Sequence, residues 1–333
     1  MFIRALEAVA TMLILIGIGY FFAWRGWLGA NGARRSPSIS GAAGHEAQLQ
    51  GEGNRLLSAI VIRVAMPGVI LSNIMTAYTR ENLAAQLSLI AAPALSIAAG
   101  IPIALLLARL LHVPENRRGV FATMTAFSNS VFIGFPVTRA VLGESAIPYA
   151  TLYYLANTTL FWTIGAPLIR RDADKRPVSA AAALKRLINA PLATLFASFI
   201  LVLLGVRLPD FVLSAAETIG DTVTPLSMMF IGSMLYGVTR AGIRWEKGFG
   251  ALLGMRFLAA PLIMLAVCAP LGVTGLTLQA YFLQAGMSAM TQVAIISHGF
   301  GADSEYASLG VALTTVALML ALPVYALFMS SAL

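Results

Sequence analysis

The sequence predicts an all-α polytopic membrane protein: ten transmembrane helices in two halves of five, the second half inverted relative to the first. Three observations carry that expectation. Of the 333 residues, 59% are hydrophobic and only 11% are charged, against roughly a quarter charged in soluble domains. Mean hydropathy is +0.83, more apolar surface than a soluble chain of this length can hide. The apolar residues also fall in long runs such as Ala5–Ala23 and Tyr306–Leu333, each near or above the roughly 20 residues that cross a bilayer as a helix. Secreted, fibrous and disordered classes are excluded.

Span 1 covers 3–24. It is long for a signal segment and has no small-residue cleavage site, so it is expected to be retained. The Gly/Ala/Ser-rich linker Arg25–Arg55 reads as a flexible loop. Spans 2 to 5 follow at 57–77, 83–111, 119–142 and 145–169. A basic linker over 170–187, carrying Arg170, Arg171, Lys175, Arg176, Lys185 and Arg186, divides the first repeat (1–169) from the second (188–333). Spans 6 to 10 are then 188–206, 212–239, 249–272, 276–299 and 304–329.

The net charge of +8 belongs to topology rather than to a nucleic-acid partner, because the cations lie in short linkers between apolar spans. Of 22 Lys and Arg residues, only Arg4, Arg80, Arg139 and Arg207 fall on the opposite side from the linkers after spans 1, 3, 5 and 7, leaving 18 on that side. The positive-inside bias puts the basic linkers in the cytoplasm and both termini outside, in a bacterial inner (plasma) membrane. The single cysteine, Cys268, rules out a disulfide framework and Cys-based metal centres. No His/Asp/Glu cluster has metal spacing and no nucleophile elbow is visible. Neither an enzyme nor a cofactor is expected.

The inversion rests on internal echoes. Ala156-x-Thr158-Thr159 is followed by Pro167, and Ala312-x-Thr314-Thr315 by Pro323 at the same distance. Tyr149-Ala150-Thr151-Leu152 matches Tyr306-Ala307-Ser308-Leu309, Ala91-Ala92-Pro93 matches Ala259-Ala260-Pro261, and Pro67 matches Pro225. Their common order is the signal. An odd number of spans per half brings the second copy in from the opposite face, as in many secondary transporters.

Such transporters bind substrate where paired helices break near the midplane. Span 4 holds Asn129, Gly134 and Pro136. Pro136 lacks an N–H and clashes with the preceding turn, yet suits the first turn of a new helix. The freed amides of a half-helix start can hold a carboxylate, and Asn129 offers a donor and an acceptor beside them. From span 4 alone, a plain kink with Asn129 in an interhelical hydrogen bond is an equal reading. Span 9 tips the balance, because Gln284, Gly286, Ser288, Thr291 and Gln292 interrupt an otherwise apolar run.

The chain resembles the auxin efflux carrier family, which includes bacterial malonate and malate permeases and plant auxin carriers. The residues that carry the likeness are Gly17-x-Gly19-Tyr20 with Arg25-Gly26, Ala65-Met66-Pro67, Asn129-x4-Gly134-x-Pro136, Leu142-Gly143-Glu144, Thr224-Pro225-Leu226 with Gly232, Arg256 before Ala260-Pro261, Gly299-x-Gly301-x-Asp303, and Leu322-Pro323. The resemblance implies a bile acid/sodium symporter-like fold with a scaffold of spans 1, 2, 6 and 7 and a transport domain of spans 3–5 and 8–10. It further implies that broken helices 4 and 9 cross, and that access alternates by an elevator motion. Asn129 matches the family asparagine that meets the substrate carboxylate. The sequence departs from the family at Ser288, where relatives commonly carry a proline.

The expected function is secondary transport of a small organic anion, a mono- or dicarboxylate, with Asn129, Gly134, Pro136, Gln284, Ser288, Thr291 and Gln292 around it. A proton or sodium gradient would drive exchange, and homodimerisation through the scaffold follows by analogy. A sodium symporter of the bile acid type and a non-transporting sensor or channel are the alternatives. Asp221 is either a coupling-proton carrier or an acidic cap of span 7, and Arg139 either attracts the anion or snorkels at the interface.

Overall fold

The computed structural model describes residues 2–28, 52–81, 87–173, 190–242 and 244–332. Most of the two linkers, Arg25–Arg55 and 170–187, therefore lies outside the described residues. Among the described residues every regular element is a helix, and the one extended pairing is an isolated bridge.

The helices run α1 (Phe2–Trp24), α2 (Glu52–Ile60), α3 (Met66–Ala77), α4 (Ala91–Leu110), α5 (Arg118–Ala126), α6 (Phe135–Leu142), α7 (Ile147–Leu160), α8 (Ala166–Ala173), α9 (Ala190–Leu203), α10 (Asp210–Asp221), α11 (Val223–Ala241), α12 (Phe249–Gly254), α13 (Ala260–Cys268), α14 (Gly275–Ala285), α15 (Gln292–Phe300) and α16 (Ser304–Ala332). Among the described residues, five helical stretches are long and apolar enough to cross a membrane: Gly53–Ala77, Ala91–Leu110, Asp210–Arg240, Phe249–Cys268 and Ser304–Ser331. Two helices extend into the expected linkers. Helix α2 starts at Glu52, inside the first expected linker, and α8 continues to Ala173, past the expected end at 169. Span 7 is divided at Thr222, where Pro225 has no N–H to offer the carbonyl of Asp221 four residues earlier.

Proline also explains four π turns. Val61–Ala65, Ser130–Gly134, Phe161–Gly165 and Met255–Ala259 each end two residues before a proline: Pro67, Pro136, Pro167 and Pro261. In each case the residue preceding the proline donates its amide five residues back, Met66 to Val61, Phe135 to Ser130, Ala166 to Phe161 and Ala260 to Met255. The pyrrolidine ring clashes with the carbonyl four residues before it, and a widened turn relieves the clash without ending the helix. Pro136 thus sits at the second position of α6. The true break lies upstream, at Phe127–Asn129, and not at the proline that the sequence reading made its cause.

Helices α1 and α11 touch backbone to backbone, Gly19 against Met229 and Gly232 against Ile16 and Tyr20. A side chain at either glycine would force the helices apart, so small residues set this approach. Helix α3 packs on α9 and α10, with Gly68 against Ala216 and Gly220. Helix α4 packs against α5, α7 and α13. The core falls into two clusters, one around Met66, Ile70, Phe132 and Met228, the other around Phe121, Phe127, Phe161 and Tyr281. The breaks lie where the clusters meet, with Phe132 stacked on Phe230 at 4.9 Å and Phe127 edge-on to Phe161 at 5.6 Å.

Candidate functional site

The chain leaves helix α5 at Phe127, and α14 ends at Ala285. Unwound backbone in a spanning segment has no lipid partner for its N–H and C=O groups, so the protein must supply one. The two breaks supply each other. Ser128 and Ala289 form an antiparallel bridge, the Asn129 amide donates to the Ser288 carbonyl at 2.9 Å, and the Met290 amide donates to the Phe127 carbonyl at 3.0 Å. Side chains from neighbouring helices complete the pairing. The Asn157 carboxamide grips Ser128 twice, accepting from its N–H at 3.2 Å and donating to its C=O at 3.0 Å. The Ala289 amide donates to Thr314 Oγ1 at 3.1 Å.

Asn129 lies at the centre, 2% exposed. Its Oδ1 accepts from the Phe132 amide at 3.2 Å and caps the turn that leads into α6. Its Nδ2 donates to Thr291 Oγ1 at 2.8 Å, which joins the two breaks through side chains as well. Asn129 and Thr291, together with Ser130, Tyr154, Asn157 and Gln292, line a small cavity. Gln292 Oε1 is buried with no hydrogen-bond partner. Thr291 also lines a second, larger cavity, shared with Asn54, Phe230, Met234, Ala294 and Ser308.

The other expected site residues lie around this centre rather than in it. Gln284 Nε2 donates to Thr138 Oγ1 at 3.2 Å, and its Oε1 is buried without a partner. The carboxamide lies over Gly134, and a Cβ there would push it aside. Ser288 is fully buried; its carbonyl receives Asn129 and its hydroxyl receives Thr315 Oγ1 at 3.4 Å. Pro136 faces a different small cavity with Arg139, Val69 and Val223. Asp221 is exposed and paired with Arg139 at 3.0 Å, and Arg139 also reaches Glu144 at 2.7 Å.

A family profile described as "Membrane transport protein" matches residues 42–326. The chain belongs to that family. The auxin efflux carrier motifs seen in the sequence agree with this membership. Two archaeal relatives align over nearly all of both chains. An uncharacterised transporter of Methanothermobacter thermautotrophicus is 24% identical, covering 97% of this chain and 98% of its own length. An uncharacterised transporter of Methanocaldococcus jannaschii is 23% identical, covering 93% and 94%. With the apolar helices, this places the protein among multi-pass membrane transporters.

Sequence reasoning missed two residues of this membrane transport protein. Asn157 is the unread position inside Ala156-x-Thr158-Thr159; a fully buried carboxamide in an apolar helix is the signal that would have found it. Arg256 entered the sequence analysis as a topological cation and as a residue of the family likeness, with no role in the breaks, yet its side chain is fully buried. It donates from Nε and Nη2 to the Met287 carbonyl at 3.0 and 2.7 Å, from Nη2 to Ala285 at 2.8 Å, and from Nη1 to Thr125 at 2.9 Å. A cation seven residues into an apolar span was the available signal.

Proposed function

We propose that this protein is a secondary transporter of small organic anions, mono- or dicarboxylates, whose carboxylate binds where the breaks of α5–α6 and α14–α15 meet. The reading rests on one observation: two unwound segments joined by the Asn129–Thr291 hydrogen bond, with the unpartnered Gln292 oxygen beside their shared cavity. Asn129 would turn from Thr291 to the carboxylate, helped by the positive end of the following half-helix.

The packing of α1, α3, α9, α10 and α11 supports a scaffold of spans 1, 2, 6 and 7. The remaining six spans, including broken and crossing helices 4 and 9, would move against it as an elevator, each half being one five-span repeat. The cavity through Thr291 toward Asn54 and Ser308 is the path to the side of the basic linkers, which we assign to the cytoplasm of a bacterial plasma membrane with both termini outside. A proton or sodium gradient biases the exchange, and the scaffold helices form the homodimer contact. Asp221 was weighed as a proton carrier or an acidic cap of span 7; its pairing with Arg139 supports a third role, docking of α6 against α10.

The test is binding and uptake of a mono- and dicarboxylate panel in proteoliposomes. Losing a buried hydrogen bond to a charged group costs about 1.5–3 kcal/mol, so Asn129→Ala should weaken a bound carboxylate by about tenfold or more. A carboxylate held equally well by wild type and variant removes Asn129 from the site.

A further inference from the structure

We propose that Arg256 is a tethered cation occupying the carbonyl cluster in which a transporter of this architecture would hold a coupling metal cation, so that this protein needs no Na+ there. The inference builds on the anion-transport reading above and narrows its coupling ion.

The geometry is specific. Thr125 is the last residue but one of α5, Ala285 is the last residue of α14, and Met287 lies in the break that follows. Their carbonyls converge on one guanidinium, which makes four hydrogen bonds and has no carboxylate partner among the described residues. Helix ends carry about half a negative charge on their unsatisfied carbonyls. Two such ends, together with an unwound carbonyl, are the ligand set that broken-helix transporters use for Na+. Here that set is filled by the protein. The π turn Met255–Ala259, forced by Pro261, shapes the α12–α13 segment that carries Arg256 into the cluster. A guanidinium stays protonated under all working conditions, so its charge is always present and cannot leave in exchange for a gradient. Its planar fork reaches three carbonyls at once, which a lysine ammonium does less well.

The test uses purified full-length protein and the thermal unfolding midpoint, read in NaCl and in choline chloride at equal ionic strength. Wild type should melt at the same temperature in both salts. Arg256→Ala should melt lower by on the order of 5–10 °C in choline, because several buried carbonyls lose their partner. Part of that loss should return on adding Na+ or a low concentration of guanidinium ion, either of which can refill the cluster; an emptied apolar gap would respond to neither. Arg256→Lys should keep more of the midpoint than the uncharged, similarly sized Arg256→Met, and this pair decides the matter if the alanine variant does not fold. A Na+-dependent midpoint in wild type would overturn the inference, and so would equal midpoints for Arg256→Lys and Arg256→Met. Neither result touches the Asn129 carboxylate test, so the two readings fail separately.

Discussion

The two breaks do the same job by different means. The α5–α6 break is largely written in its own sequence, where Asn129 caps the turn that follows it and Pro136 widens that turn, with Gly134 leaving room for Gln284. The α14–α15 break has no proline and no side-chain cap at the start of α15. It is held from outside, by Arg256 on its carbonyls, Thr314 on the Ala289 amide and the Tyr325 ring against Gly286. Span 9 should therefore depend on its neighbours more than span 4 does. Asn157 is the exception on the span 4 side, and it gives the hardest test.

Asn157→Ala removes both bonds of the clamp on Ser128, leaving a buried N–H and a buried C=O unpaired. At about 1–3 kcal/mol for each orphaned group, this should be the most destabilising change of the set, about 3 kcal/mol, read as a drop in thermal midpoint. Thr314→Val deletes a single acceptor at the matching place in span 9 and should cost about half as much. Equal costs would mean that the two breaks share their load evenly.

Next comes the glycine in span 9. Gly286 has φ −82°, a conformation open to any residue, so its backbone needs no glycine. What excludes a side chain is the Tyr325 ring, itself fixed by a hydrogen bond from its hydroxyl to the Phe257 carbonyl at 2.9 Å. Gly286→Ala should cost about 1–3 kcal/mol through overpacking. Pro136→Ala should change stability by less than about 1 kcal/mol, because added freedom in the unfolded chain is offset by a regained backbone donor. Hydrogen exchange should then show α6 extending back toward Ser130. A larger effect at Pro136 than at Gly286 would reverse the comparison.

This asymmetry also explains what was legible in the sequence. The span 4 break could be read from Asn129, Gly134 and Pro136, because those residues act on their own backbone, although the proline widens the turn rather than breaking it. In span 9 the polar residues marked the place, but what holds them arrives from the π turn before α13 and from α16, far away in sequence. Gln284 and Ser288 read as substrate ligands because they are polar in an apolar run. Once folded, their groups bond largely to Thr138, Thr315 and Asn129. Arg256 was visible as a letter, but its meaning required the three carbonyls that only tertiary structure brings together.

The smallest expected effect is at the far end of α6, where the Arg139–Asp221 pair lies outside both breaks. The Asp221 side chain is 63% exposed, and exposed pairs contribute about 0–1 kcal/mol. Asp221→Asn should therefore lower stability by less than about 1 kcal/mol in dilute buffer. The difference should vanish near 1 M salt, where charges are screened within about 3 Å. Arg139 retains Glu144 in the variant, so no buried charge is stranded. The same variant separates the two roles of Asp221. If the carboxylate only docks α6 against α10, the pH dependence of uptake in proteoliposomes should survive the substitution while the salt dependence weakens. If it carries the coupling proton, pH dependence should disappear with little change in the melt. Because the pair joins a half-helix that follows a break to one packed on α3, a loss of uptake without a loss of stability would support the proposed movement of α6 against α10 at Arg139.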